Sequence, residues 1–315
     1  MHDDATPVLN KTMLLDRSRI SRLAGYLSWS AADQVVMLGL PRLVLFPILA
    51  ALIGQDAFGS FVIALGLIQL VGLAPSNGLV GYVIRDLIHE DDRNQAVLLR
   101  TTLILSAAVV LPFTLVFIFA ARSITGLYDD NPSVFTLLPL LGVFLLLTNI
   151  VETSLSAYRV RRAFSRMTLV HAVQTAALFL AIPLYYAGGI GGVGLAHIIA
   201  SSAALVVVLI LERKTLLAAP FFASRFARAA MRVWPAFSLS ALIALSAGYL
   251  DRLLLGYWWS PAAVAPFFAA VSTASMIAIP ATVVSNTTLS ILGRMRGAQG
   301  FDRRFYILYA VAALA

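Results

Sequence analysis

Six stretches of the chain, 57–84, 101–121, 131–151, 167–211, 233–250 and 253–293, contain no Asp, Glu, Lys or Arg. A bilayer core about 30 Å thick takes about 20 apolar residues per helix, so each stretch supplies a span and the two longest have room for two. Set against the turn signals between them, the apolar pattern predicts spans at 23–52, 58–84, 98–121, 134–157, 166–187, 190–211, 233–256 and 262–291. A ninth apolar run opens near Phe305 and reaches Ala315 after 11 residues. That is too short to cross, so the chain reads as eight full spans plus a truncated ninth, a fragment of a longer protein. The runs are apolar throughout and do not alternate, which excludes a transmembrane β-barrel.

Composition agrees with an all-α integral membrane protein: 60% of residues are hydrophobic, 12% are charged and the mean hydropathy is +0.89, outside the range of soluble globular chains. No cysteine is present, so disulfides, thiol nucleophiles and Cys-based metal sites drop out. The opening segment, 1–22, is polar and lacks the short apolar core of a cleavable signal, and reads as a cytoplasmic tail. A net charge of +8 invites a nucleic-acid reading, but the positions of the basic residues refute it. Alternate connections on one side hold 20 of the 23 Lys and Arg, whereas those on the other hold only Arg122 outright. Arg42 and Arg252 are the two left over, inside or at the end of spans. This asymmetry places the N-terminus in the cytoplasm. The basic connection at 212–232 carries Arg225, Arg228 and Arg232 at three- and four-residue spacing, which predicts an amphipathic helix on the cytoplasmic surface, with an ordinary basic loop as the alternative. It divides the chain into a six-helix bundle, 23–211, and the start of a second bundle, 233–315.

The stretch from Leu52 to Ile88 resembles the entrance of span two in the polysaccharide (O-antigen type) flippases of the MOP superfamily, through Gly54, Asp56, Phe58, Gly59, Gly78 and Arg85. From Gly248 to Pro280, Asp251, Arg252, Leu255 and Gly256 resemble the pattern that ends span seven there. At the entrance of span eight, however, Val264 and Ala265 stand where the family carries an aromatic residue followed by Gly. The resemblance implies two six-helix bundles around a pseudo-twofold axis, a bacterial inner-membrane location, and transport of a polyprenyl-diphosphate-linked oligosaccharide by alternating access. Partners would be the lipid-linked oligosaccharide, membrane lipids and a polysaccharide polymerase, with no nucleic acid and no cofactor.

Charges inside spans are costly and normally turn toward a cavity or a partner. On this reading Arg42, Arg85 and Arg252 attract the diphosphate, although Arg85 also fits an ordinary basic-side anchor and Arg42 a side chain snorkelling to the outer interface. Asp33 and Arg42, nine residues apart, fall on opposite faces of a straight helix and cannot pair unless Pro41 and Pro47 bend it. Thr148, Asn149, Glu152 and Ser156 give span four a polar face, as Thr168, His171, Gln174 and Thr175 do for span five. Helix packing alone also explains such faces. In the related MATE exporters an acidic residue on span one with polar partners on spans four and five forms a cation site. By that likeness Asp33, Asn149, Glu152 and Gln174 are coupling-ion or salt-bridge candidates, joined by Asp251, whereas His171 and His197 read as ordinary core histidines. Polar residues at Gln69, Ser76 and Asn77 on span two, and from Ser272 to Thr288 on span eight, suit a sugar-bearing substrate or helix packing equally. No phosphate loop, HExxH or GxSxG is present, and residues 89–92 read as a solvated connection before a metal cluster, so no enzyme is expected. The rival transport reading is a MATE-like cation-coupled multidrug antiporter, which predicts an acidic cavity where the flippase predicts a basic one.

Overall fold

The computed structural model describes residues 17–218 and 220–284, and every regular element among them is helical. The membrane helices are α1 (Ala24–Ile53), α2 (Gln55–His89), α3 (Asp92–Phe119), α4 (Pro132–Arg161), α5 (Phe164–Leu178), α6 (Ala181–Ala218), α7 (Ser224–Trp258) and α8 (Pro261–Val284). Seven of them are long and apolar enough to cross a membrane; α5, at 15 residues, is the exception. Span five, expected as one helix over 166–187, is instead built in two pieces. The helix breaks at Phe179–Leu180 and resumes as the first turns of α6.

Within α6 helical geometry is lost at Gly188 and Gly189, the latter at φ +58°, a conformation that suits glycine. A side chain on Gly192 would strike the backbone of Leu184 and Tyr185. Residues eight apart in a straight helix stand about 12 Å apart, so the chain must double back at the glycine pair. The boundary between spans five and six therefore falls where the sequence placed it. Residues 285–291 of the eighth expected span and the ninth run from Phe305 lie outside the described residues, as does most of the 1–22 tail.

The helix ends follow from local chemistry. Asp91 accepts a bond from Asn94 N and starts α3; Asn131 accepts from Ser133 N and Val134 N and starts α4; Ser260 caps α8 ahead of Pro261. Gly54, at φ +80°, makes the turn from α1 to α2. The 212–232 segment corrects the expectation of one amphipathic helix. Glu212 to Ala218 continue α6, residues 220–223 are non-helical, and Ser224 opens α7. Glu212 is in fact buried, with Arg161 Nη1 at 3.2 Å and Arg166 Nη1 at 3.7 Å, so the segment is tied to the bundle at its first residue.

Two helices depart from α geometry. In α1, Val35–Gly39 and Pro41–Leu45 are π-helical, and in α2 so is Ile68–Gly72. Such turns are rare and often mark functional positions. In α1 the first lies between Asp33 and Arg42 and the second contains Arg42, beside Pro41 and Pro47, which predicted a bend.

α2 is the hub: its first half packs on α8, its second half on α7, and both halves reach α4. Small residues make the approach close. Gly59 abuts the backbone of Pro261, Gly66 meets Leu253, Gly256 meets Ile63, and Gly78 meets Trp234 and Ser238. Trp234 Nε1 donates to Pro75 O at 2.8 Å at the same seam. Phe46, Phe58, Phe61 and Phe268 gather α1, α2 and α8 into one aromatic cluster with ring centroids 5.7 to 6.3 Å apart. Outward-facing Leu43, Val116, Phe119 and Ile210 leave an apolar surface that suits lipid.

Candidate functional site

A cavity of about 340 Å³ lies at the meeting of α1, α2 and α4 to α8, a volume at the small end of ligand pockets. Its walls are mainly apolar, with polar groups from Gln69, Asn77, Thr148, Gln174, Tyr249 and His197. The charged groups on the lining are Arg42 from α1, Arg252 from α7 and Glu152 from α4. The two arginines are near enough to act on each other electrostatically. The π-helical stretch that opens at Pro41 carries Arg42, whose Nη1 donates to Ser275 Oγ of α8. Arg252 is buried with its guanidinium over the rings of Phe268 and Tyr249, at 5.0 and 5.2 Å. Stacking of this kind fixes the planar group while leaving its N–H edges available for an anion.

Arg85 is placed elsewhere. It is exposed at the basic end of α2, with Nε 2.7 Å from Asp86 Oδ2, and is absent from the cavity lining. Arg85→Ala is therefore expected to leave transport within about twofold of wild type, since exposed pairs contribute at most about 1 kcal/mol. A flux assay on purified protein checks this.

The acidic candidates divide as well. Asp251 is part-exposed and accepts a bond from the Arg252 backbone N at 2.7 Å, with Arg252 Nε at 3.9 Å; it is not on the cavity wall. Asn149 is fully buried, donates to Leu145 O at 2.7 Å and leaves Oδ1 without a partner. Gln174 lines the cavity and donates to Ser201 Oγ at 3.3 Å. Asp33 and Glu152, from different helices, are brought to the same side chain, that of His171. His171 Nδ1 lies 2.6 Å from Asp33 Oδ1, and Nε2 lies 3.7 Å from Glu152 Oε1. Arg159 approaches Glu152 from the other side at 3.4 Å.

His171, read from sequence as an ordinary core histidine, is thus the centre of the acidic group. The signal lay in its neighbours: Thr168, His171 and Thr175 share one face, and all three bond to α1, through Trp29 O, Asp33 and Val36 O. Tyr249 was also missed, although it stands three residues before Arg252 and so on the same helical face. His197 does behave as a core histidine, donating to Val193 O at 2.9 Å and packing on Phe61 and Phe144, though its ring also reaches the cavity. Of residues 89–92, Asp91 is occupied in capping α3, and among the described residues no group of three His, Asp or Glu side chains is placed to hold a metal ion.

No curated protein matches the sequence. A family profile described as "polysaccharide biosynthesis protein" matches residues 48–312, which include all of α2 to α8 as described. Covering most of the chain, that match joins an all-helical membrane fold with a central, mainly apolar cavity that two arginines line: the chain belongs to the polysaccharide biosynthesis protein family of flippase-type membrane transporters.

Proposed function

We propose that the protein moves a polyprenyl-diphosphate-linked oligosaccharide across the bacterial inner membrane, from a cytoplasmic side marked by the basic connections. The observation that carries this reading is the charge of the cavity. Two arginines, Arg42 and Arg252, face it against one carboxylate, Glu152, which Arg159 already attends. A net basic, mainly apolar chamber suits a diphosphate whose lipid tail stays in the bilayer, and it disfavours a cationic drug. Arg42 and Arg252 come from α1 and α7, helices at the starts of the two expected bundles. A bound diphosphate would bridge them, and rocking of one bundle against the other would then open the chamber to alternate sides. Asp33 and Glu152 are left to handle the coupling cation.

The test is transport by the purified protein in proteoliposomes loaded with a fluorescent polyprenyl-diphosphate oligosaccharide. Protein-dependent loss of the inner-leaflet signal is expected, and excess of a cationic dye should not compete. Dye uptake without movement of the lipid-linked sugar would overturn the proposal in favour of a drug exporter.

A further inference from the structure

We infer that His171 is an exchangeable proton site, loaded from the central cavity through Glu152 and held against α1 by Asp33. This deepens the proposed function by naming the coupling ion, and it rests on that reading for its role in transport.

The geometry assigns a separate task to each ring nitrogen. Nδ1 lies 2.6 Å from Asp33 Oδ1, and a carboxylate can only accept, so Nδ1 carries the hydrogen. That fixes the tautomer and leaves Nε2 as the nitrogen that gains and loses a proton. Nε2 is buried, has no hydrogen-bond partner, and points at Glu152 Oε1 across 3.7 Å, too long for a direct bond. Glu152 lines the cavity and is part-exposed, whereas Asp33 and His171 are sealed from it. A small movement of Glu152 from Arg159 toward His171 closes the gap. The proton then passes from the Glu152 carboxyl to Nε2, leaving carboxylate and imidazolium.

Charge balance supports the assignment. The charged groups facing His171 are Asp33 from α1 and Glu152 from α4, the latter paired with Arg159. On α6, Glu212 is taken up by Arg161 and Arg166, and Ser201 bonds Gln174. With His171 neutral the group holds one uncompensated negative charge; with Nε2 protonated the charges cancel, which burial favours. A metal cation fits poorly, because Asp33 already receives His171 Nδ1 at Oδ1 and Gln34 Nε2 at Oδ2, at 2.6 and 3.4 Å.

The site also connects to the substrate chamber. His171 is the middle contact of the three-point seam between α5 and α1; one π-helical segment lies between Asp33 and Arg42, and the next contains Arg42 itself. Loss of the proton weakens the central contact and frees α1 to change its bend, moving Arg42.

The experiment is nitrogen NMR of the full chain, labelled with ¹⁵N-histidine in lipid nanodiscs, with His171→Gln identifying the signal. His171 Nε2 is expected to titrate between about pH 5 and 9 while Nδ1 stays protonated. Glu152→Gln and Asp33→Asn should each weaken proton binding about tenfold, and Asp33→Asn should in addition release the tautomer. Exchanging sodium for choline should change nothing. A ring that holds one protonation state throughout, a titration indifferent to both carboxylate variants, or a signal displaced by sodium would each overturn the proposal. No substrate is needed for this measurement. A titrating His171 in a protein that fails the lipid-linked flux assay would therefore sink the flippase reading alone, and flux with a silent His171 would sink the proton site alone.

Discussion

Arg42→Ala and Arg252→Ala are each expected to lower flux of the lipid-linked oligosaccharide about tenfold to a hundredfold. A hydrogen bond to a charged group contributes about 1.5 to 3 kcal/mol, and each arginine would lose at least one on truncation. The two variants should differ in how Lys rescues them. Arg42 meets its surroundings through a single-ended bond to Ser275, so Arg42→Lys keeps the charge and part of the function. Arg252 lies over two rings, and Arg252→Lys loses the planar contact, so little recovery is expected there. Thermal unfolding in detergent separates binding from folding. Arg42→Ala should melt near wild type, whereas Arg252→Ala leaves a gap beside Phe268 and should melt lower. Ser275→Ala removes the Arg42 partner without its charge and should cost less than Arg42→Ala. Unchanged flux in both well-folded alanine variants would remove the arginines from the substrate path.

How far the sequence carried the description depended on the kind of interaction involved. Hydropathy found the crossings because lipid imposes apolar runs of a fixed length, and the pair Gly188–Gly189 marked a reversal that only permissive residues allow. The fracture of span five at Phe179–Leu180 had no such mark, since both residues are ordinary helix occupants. The 212–232 segment misled because basic spacing says nothing about partners. Glu212 found Arg161 and Arg166, residues about fifty positions earlier, and was drawn into the bundle. The π-helical turns of α1 were likewise hidden, although Pro41 and Pro47 announced that a bend would come.

For the site, the cost of a buried charge singled out Arg42, Arg252, Asp33 and Glu152 before any geometry was available. What that argument could not supply was which charges share a chamber. Arg85 carries the same charge as Arg252, yet it stands at the exposed end of its helix and pairs with the adjacent Asp86. His171 was undervalued because a histidine in a core takes its meaning from neighbours on other helices, and Asp33 is 138 positions away.

Gly59→Ala is expected to cost more stability than any other Gly→Ala change among the described residues. The added carbon would fall on the backbone carbonyl of Pro261 at the start of α8. A carbonyl there cannot swing aside as a side-chain tip can, so α2 and α8 must separate, and overpacking of this sort costs about 1 to 3 kcal/mol or more. The loss should spread, because Phe58 is the adjacent residue and its contacts with Phe46 and Phe268 depend on the same spacing. Gly248→Ala is the matched control: that glycine lies in helical α7 with nothing within 4 Å of the new carbon, so the change should be neutral or slightly stabilising, by up to about 1 kcal/mol. Melting of the two variants in one detergent, against wild type, should therefore move in opposite directions or leave Gly248→Ala unmoved. Equal melting of the two would mean that the α2–α8 contact, and with it the wall that brings Phe268 against Arg252, is not held as closely as the structure shows.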